Sequence, residues 1–194
     1  LVLCGLVVVH IRALHEVGSN NPDGIEIKEH KDANGIPLDG IPFHPYYTVK
    51  DIFGVVIFLI LFTLVVFFWP EMNGYFLEYT NFIPANPLKT PEHIAPVWYF
   101  TPFYSILRAV PSQLGGVVAM GLSTILFCFI PWLDRSPVKS IRYRGWRYKM
   151  ALVIFTISFI ALGWLGMQPV TSTFIWMARV FSVGYFLFFL LFLD

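Results

Sequence analysis

Charge is what this sequence has least of. Of its 194 residues only 13% are Asp, Glu, Lys or Arg, against 57% hydrophobic and 18% aromatic. That balance excludes an ordinary solvated domain and is that of a membrane protein. The net charge is +1 and no basic block is present, so nothing in the chain reads as a nucleic-acid surface. Cysteine is nearly absent. Cys4 and Cys128 each sit inside an apolar run, without metal-ligand spacing, and read as small buried hydrophobes. There is no initiator methionine, signal-peptide pattern, internal repeat or low-complexity segment. The chain opens and closes within apolar runs, which predicts a piece truncated at both ends.

Long apolar runs are what the sequence does have. Residues 1–14 read as the end of a longer helix, stopped by Gly18-Ser19-Asn20-Asn21-Pro22. Residues 15–51 form a polar loop, solvated over 25–40. Four spans follow, at 52–69, 113–133, 150–165 and 173–193. The second carries Gly115, Gly116, Ala119, Gly121 and Ser123, small residues that let helices approach closely. The predicted fold is all-α: a polytopic transmembrane bundle of four spanning helices plus the end of a fifth. Short helices are expected near 74–79 and 103–110. Residues 134–149 hold Arg135, Lys139, Arg142, Arg144, Arg147 and Lys149, which makes that loop cytoplasmic. By alternation 15–51 is cytoplasmic too, and 70–112 faces the periplasm or an equivalent positive side.

Residues 87–111 organise the rest. Pro87, Pro91, Pro96, Pro102 and Pro111 forbid one continuous helix. Trp98, Tyr99, Phe100, Phe103 and Tyr104 want burial, and the Trp and Tyr keep a polar tip. Such broken backbone between spans is either an interfacial aromatic belt or a pocket for a flat apolar ligand. The other candidate chemistry lies across the membrane. His10, near the inner end of an apolar helix, is either a packed histidine or a metal ligand whose partner imidazole comes from another helix. His15 follows on a nearby face. Asp51 is either an N-cap carboxylate or, with a histidine, a proton donor at the mouth of a span.

Several stretches resemble cytochrome b of the cytochrome bc complexes. They are His10, the run Leu14-His15-Glu16-Val17-Gly18-Ser19-Asn20-Asn21-Pro22, and Pro42-Phe43-His44-Pro45-Tyr46-Tyr47-Thr48-Val49-Lys50-Asp51. Pro96-Val97-Trp98-Tyr99-Phe100, residues 104–116 and Trp164-Leu165-Gly166-Met167-Gln168-Pro169-Val170 follow in the same order. The resemblance covers nearly the whole chain and is to the C-terminal half of the family, so that 52–194 corresponds to its C-terminal transmembrane domain. It implies His10 as an axial ligand of the high-potential haem b, one of two haems in an intact cytochrome b. It implies His15, Ser19, Lys50 and Asp51 as the lining of a quinone-reduction site. Pro96, Val97, Trp98, Tyr99 and Tyr104 then line a quinol-oxidation site, with Tyr104 facing a docked Rieske protein. Val97 departs from the pattern: it stands where the family's Pro-Glu-Trp-Tyr motif has glutamate, and valine cannot act as a base. The 25–40 loop is also longer than in many relatives.

The implied activity is that of ubiquinol–cytochrome c oxidoreductase, with electron transfer coupled to proton translocation. The implied catalytic residues are Tyr104, Tyr99, Asp51 and His15. The implied partners are a Rieske iron–sulfur protein, a cytochrome c-type subunit, the N-terminal half of cytochrome b, membrane lipid and a second copy in a homodimeric complex. The chain alone is expected to be inactive. Its place is a bacterial inner membrane, with the mitochondrial inner membrane as the alternative. The competing function is a transporter or structural anchor with a substrate pocket in 87–111.

Overall fold

The structure, a computed structural model, describes residues 1–74, 76–77, 79–90 and 94–191. They form α1 (Val2–Val17), α2 (Tyr46–Thr63), α3 (Thr101–Ala109), α4 (Gln113–Leu133), α5 (Trp146–Gly166) and α6 (Ser172–Leu191). Among the described residues there is no strand, only an isolated bridge between Lys31 and Pro37. The chain divides into two units, residues 26–91 and residues 1–25 with 92–194.

In the 26–91 unit, α2 starts directly after Pro45 and continues through a π-helical turn, Leu64–Phe68. The apolar stretch Tyr46–Phe68 has 23 residues, about 35 Å at 1.5 Å per residue, enough for a hydrocarbon core of about 30 Å. It begins six residues before the span read from the sequence. Lys50 and Asp51 had marked the entry. Polar side chains near a helix end reach back to the interface, so they do not interrupt it. Asp51 is therefore the sixth residue of α2 and not its N-cap. No residue of α2 is buried. Where a short helix was expected at 74–79 there are two 3₁₀ turns, Met72–Gly74 and Tyr79–Phe82. Tyr75 and Glu78 lie outside the described residues.

In the other unit, α4, α5 and α6 are each long and apolar enough to cross a membrane. α4 has the bounds read from the sequence. α5 and α6 start earlier than read, by four residues and one residue. α1 ends where Gly18 takes φ 87°, the positive value that glycine adopts without strain. Pro102 opens α3 and Val110, extended before Pro111, closes it.

The core gathers around α3, which packs on α4, α5 and α6. Ile106 and Ala109 of α3 meet Leu162 and Leu165 of α5 and Tyr185 and Phe189 of α6. Phe155 stacks near Phe188, ring centroids 4.7 Å apart. The Tyr185 hydroxyl donates to Ser123 O at 2.6 Å, linking α6 to α4. Two glycines allow the closest approaches. A Cβ on Gly166 would lie 2.2 Å from Thr101 O, and one on Gly116 would lie 2.5 Å from Leu107 O. Of the small residues on α4, Gly116 thus admits α3, while Gly121 has no neighbour within 4 Å. Cys4 and Cys128 are exposed rather than buried.

Candidate functional site

The outer candidate site begins with a turn that leads into α3. Phe100 N donates to Val97 O at 2.8 Å, and Thr101 donates to Trp98 O from both its backbone N and its hydroxyl, the latter at 2.6 Å. Thr101 is itself buried, so the turn is anchored at one end in the core. Pro96 is half-buried, and Val97, Trp98, Tyr99 and Phe100 are exposed. Trp98 and Tyr99 meet edge to face at 5.7 Å, and Tyr99 and Phe100 are 5.3 Å apart. The result is an open aromatic edge. Val97 presents a methyl surface there and no proton acceptor. Glu92, the carboxylate five residues before Val97 in sequence, lies outside the described residues.

Tyr104 stands one turn into α3 and is half-buried. Arg108, one turn further on, lies over its ring at 5.2 Å. The Arg108 guanidinium donates to Gln168 O at 3.0 Å and Leu165 O at 3.2 Å, the carbonyls at the end of α5. A cation at a helix C-terminus satisfies orphan carbonyls and complements the helix dipole. Arg108 does this for α5 while pressing on Tyr104, so it ties the aromatic edge to the bundle. Arg179 of α6 does the same for α3, donating from Nε to Ala109 O at 2.9 Å. Neither arginine was singled out from the sequence as a site residue. The signal was present: Arg108 falls in the last turn of a short proline-bounded helix, and Arg179 is the sole charge in an otherwise apolar run. Their partners are carbonyls about 60 to 70 residues away, which no local pattern reveals.

The inner candidates lie on α1, just after it, and on α2. His10, His15 and Ser19 are exposed. No residue of α1 is buried. Leu3, Leu6, Val7, Leu14 and Val17 are exposed and share the helical face of His10 by their spacing. The imidazole thus stands in the middle of an uncovered apolar face. Among the described residues no group of three His, Cys, Asp or Glu converges on one point. Lys50 and Asp51 are exposed on the second turn of α2, in the other unit. Lys50 lies over the Tyr47 ring at 5.7 Å.

The segment after α1 is clamped to the basic loop. Asn20 donates to Lys139 O at 3.0 Å and Ser140 donates to Pro22 O at 2.5 Å. Arg142 pairs with Asp23 at 2.9 Å, and Tyr143 donates to the same carboxylate oxygen at 3.3 Å. The loop is closed internally by Arg144, which bonds Asp134 at 2.6 Å and Val138 O at 3.2 Å. The bond to Asp134 raises the Arg144 pKa, so the guanidinium stays charged throughout the working range. The residues following α1 and the 134–149 loop therefore lie at the same end of this unit, as the alternation of spans requires.

Comparison with known proteins gives the family. Residues 84–186 match the family described as cytochrome b(C-terminal)/b6/petD. The chain is 59% identical to cytochrome b of Allochromatium vinosum, over 97% of this chain and 48% of that protein. It is 48% identical to cytochrome b of Rickettsia prowazekii, over 97% of this chain and 45% of that one. A solved hyperthermophilic respiratory Complex III contains a chain that matches with a TM-score of 0.85 and 38% identity, over 98% of this chain and 46% of that chain. The chain thus spans about half the length of the relatives it matches. By the family match and the all-helical, membrane-spanning fold, the chain belongs to the C-terminal cytochrome b family.

Proposed function

We propose that this chain forms part of the quinone-binding, haem b-carrying subunit of a ubiquinol–cytochrome c oxidoreductase, in a bacterial inner membrane. The observation that carries the reading is the aromatic edge of 96–104, held on α3 by the core, in a chain of this family. In the implied cycle, quinol at the outer edge gives one electron to a Rieske iron–sulfur protein. The other crosses to a second quinone near the cytoplasmic face, and protons leave on the outer side. Haem b, held by His10 and by a ligand from outside these 194 residues, supplies one-electron carriage across the membrane.

The chain's own residues do the rest. Trp98, Tyr99 and Tyr104 receive the quinol ring and exclude bulk water from one side of it. Pro96 fixes the entry to the turn. Val97 lines the pocket and takes no proton, so the proton leaves through water past Tyr99 or Tyr104. For the inner quinone the proposed proton donors are His15 and Asp51, with Ser19 and Lys50 as the further candidates. The working assembly is a homodimeric complex with the Rieske protein, a cytochrome c-type subunit and the remaining half of cytochrome b. By itself this chain is inactive.

The test is kinetic, in the assembled complex. Asp51→Asn keeps the shape and removes the charge. It should slow re-oxidation of the high-potential haem by quinone and leave outer-site reduction intact. Tyr104→Phe should slow quinol oxidation. Unchanged kinetics in Asp51→Asn and His15→Ala together would refute the inner assignment.

A further inference from the structure

We infer that a groove between α3, α4 and α6 is a binding site for one anionic phospholipid, with Arg179 as its headgroup contact. The groove has a volume of ≈ 390 Å³. Its wall runs along α6 from Arg179 through Val183 and Leu187 to Leu190, with Val110 and Ala119 opposite. Apart from Arg179 and Ser182 the lining is apolar. The Ser182 hydroxyl is already used, donating to Ala178 O at 2.6 Å.

Arg179 decides what occupies the groove. It is the eighth residue of α6, so it lies about 10 Å from the helix start at 1.5 Å per residue. A permanent charge at that depth is costly unless it is paired or reaches the interface. Its Nε is satisfied by Ala109 O, and its guanidinium lies 4.7 Å from the centroid of the Trp176 ring. Among the described residues no carboxylate pairs with it. Arg108 differs, because both of its terminal nitrogens donate to carbonyls. Arg179 is thus left with a fork of donors at the head of an apolar channel. A phosphodiester matches that fork bidentately and adds the missing negative charge. An acyl chain then follows α6 inward from Val183 to Leu190, about 10 Å. A neutral quinone ring offers no charge to Arg179.

The inference does not rest on the electron-transfer reading; it requires only that α6 span a membrane. The experiment uses the assembled complex in phosphatidylcholine nanodiscs carrying trace spin-labelled phosphatidylglycerol or spin-labelled phosphatidylcholine. Wild type should immobilise phosphatidylglycerol in preference to phosphatidylcholine. Arg179→Gln should weaken that preference at least about tenfold, and Arg179→Lys, which keeps the charge and loses the fork, should keep only part of it. Val183→Trp leaves the charge in place and fills the channel, and should also displace the lipid. Lipid extraction after detergent washing should recover one phosphatidylglycerol per wild-type complex protomer beyond the number retained by Arg179→Gln. Equal immobilisation of the two lipids by wild type would overturn the proposal. So would indifference to both Arg179→Gln and Val183→Trp. Recovery of quinone in place of the extra lipid would overturn it as well.

Discussion

The helices α1 and α3 belong to the same unit, and each carries a proposed site residue, His10 and Tyr104. α1 has 16 residues and buries none; α3 has 9 and buries five. The short helix is held by two close glycine contacts, by arginine bonds at the ends of α3 and α5, and by three neighbouring helices. The long one is held through the turn that follows it. Burial is thus spent on the element that must fix an aromatic edge. The apolar face around His10 is left for other groups to cover. The aromatic edge is built within this chain, and the face around His10 is one that this chain leaves uncovered.

The same substitution, made in α5 where it abuts α3 and within α1, tests that contrast most severely. Gly166→Ala drives a Cβ to 2.2 Å from Thr101 O. Overpacking of this kind costs about 1–3 kcal/mol, and a misplacement of about 1 Å at a site can cost about 10²-fold in rate. Quinol oxidation should fall by that order, with a lower thermal midpoint for the complex. Gly5→Ala in α1 meets nothing within 4 Å and, on the face opposite His10, should leave both rate and haem spectrum unchanged. Equal effects at the two positions would break the comparison.

His10→Ala comes next. In the complete cytochrome b it should abolish the high-potential haem and keep the low-potential one, as read from the reduced-minus-oxidised spectrum. Thermal unfolding of the α3–α6 bundle should not change, because His10 packs on none of it. This chain expressed alone should hold no stoichiometric low-spin haem.

A smaller effect is expected at Arg108. Arg108→Gln gives up the hold on Leu165 O and Gln168 O and uncovers one face of Tyr104. Quinol oxidation should drop about tenfold, within the range for losing charged hydrogen bonds of about 1.5–3 kcal/mol. Arg108→Lys should restore part of it, and the haem spectrum should stay normal. The smallest effect belongs to Val97. Val97→Leu should keep steady-state turnover within about one order of magnitude, below what loss of a general base costs. A collapse there would mean that the turn, and not α3, sets the pocket.

The sequence made some of this legible and hid the rest for physical reasons. α4 was read to the residue because Pro111 and Ser112 mark its start, with the Ser112 hydroxyl capping Gly115 N at 3.3 Å. The start of α2 was misjudged because charge was taken for a boundary. The helix begins directly after Pro45, not at Lys50, and Tyr47 N bonds back to Phe43 O at 2.8 Å. The aromatic run at 98–104 was legible as a candidate site. Its support was not, because Gly166 and Arg108 act on backbone atoms far away in sequence. In the sequence a glycine or an arginine looks the same whether or not a carbonyl waits opposite.

The clamp after α1 carries a consequence for the order of assembly. Asn20 and Lys139 are 119 residues apart. At about 5–20 residues per second of synthesis, the second half of that clamp emerges roughly 6–24 s after the first. Until then the face bearing His10 is inserted but not aligned by it. Haem capture there should therefore lag behind membrane insertion of α1, and a ribosome stalled before Lys139 should yield a nascent chain whose histidine is present and whose loop cannot yet hold it.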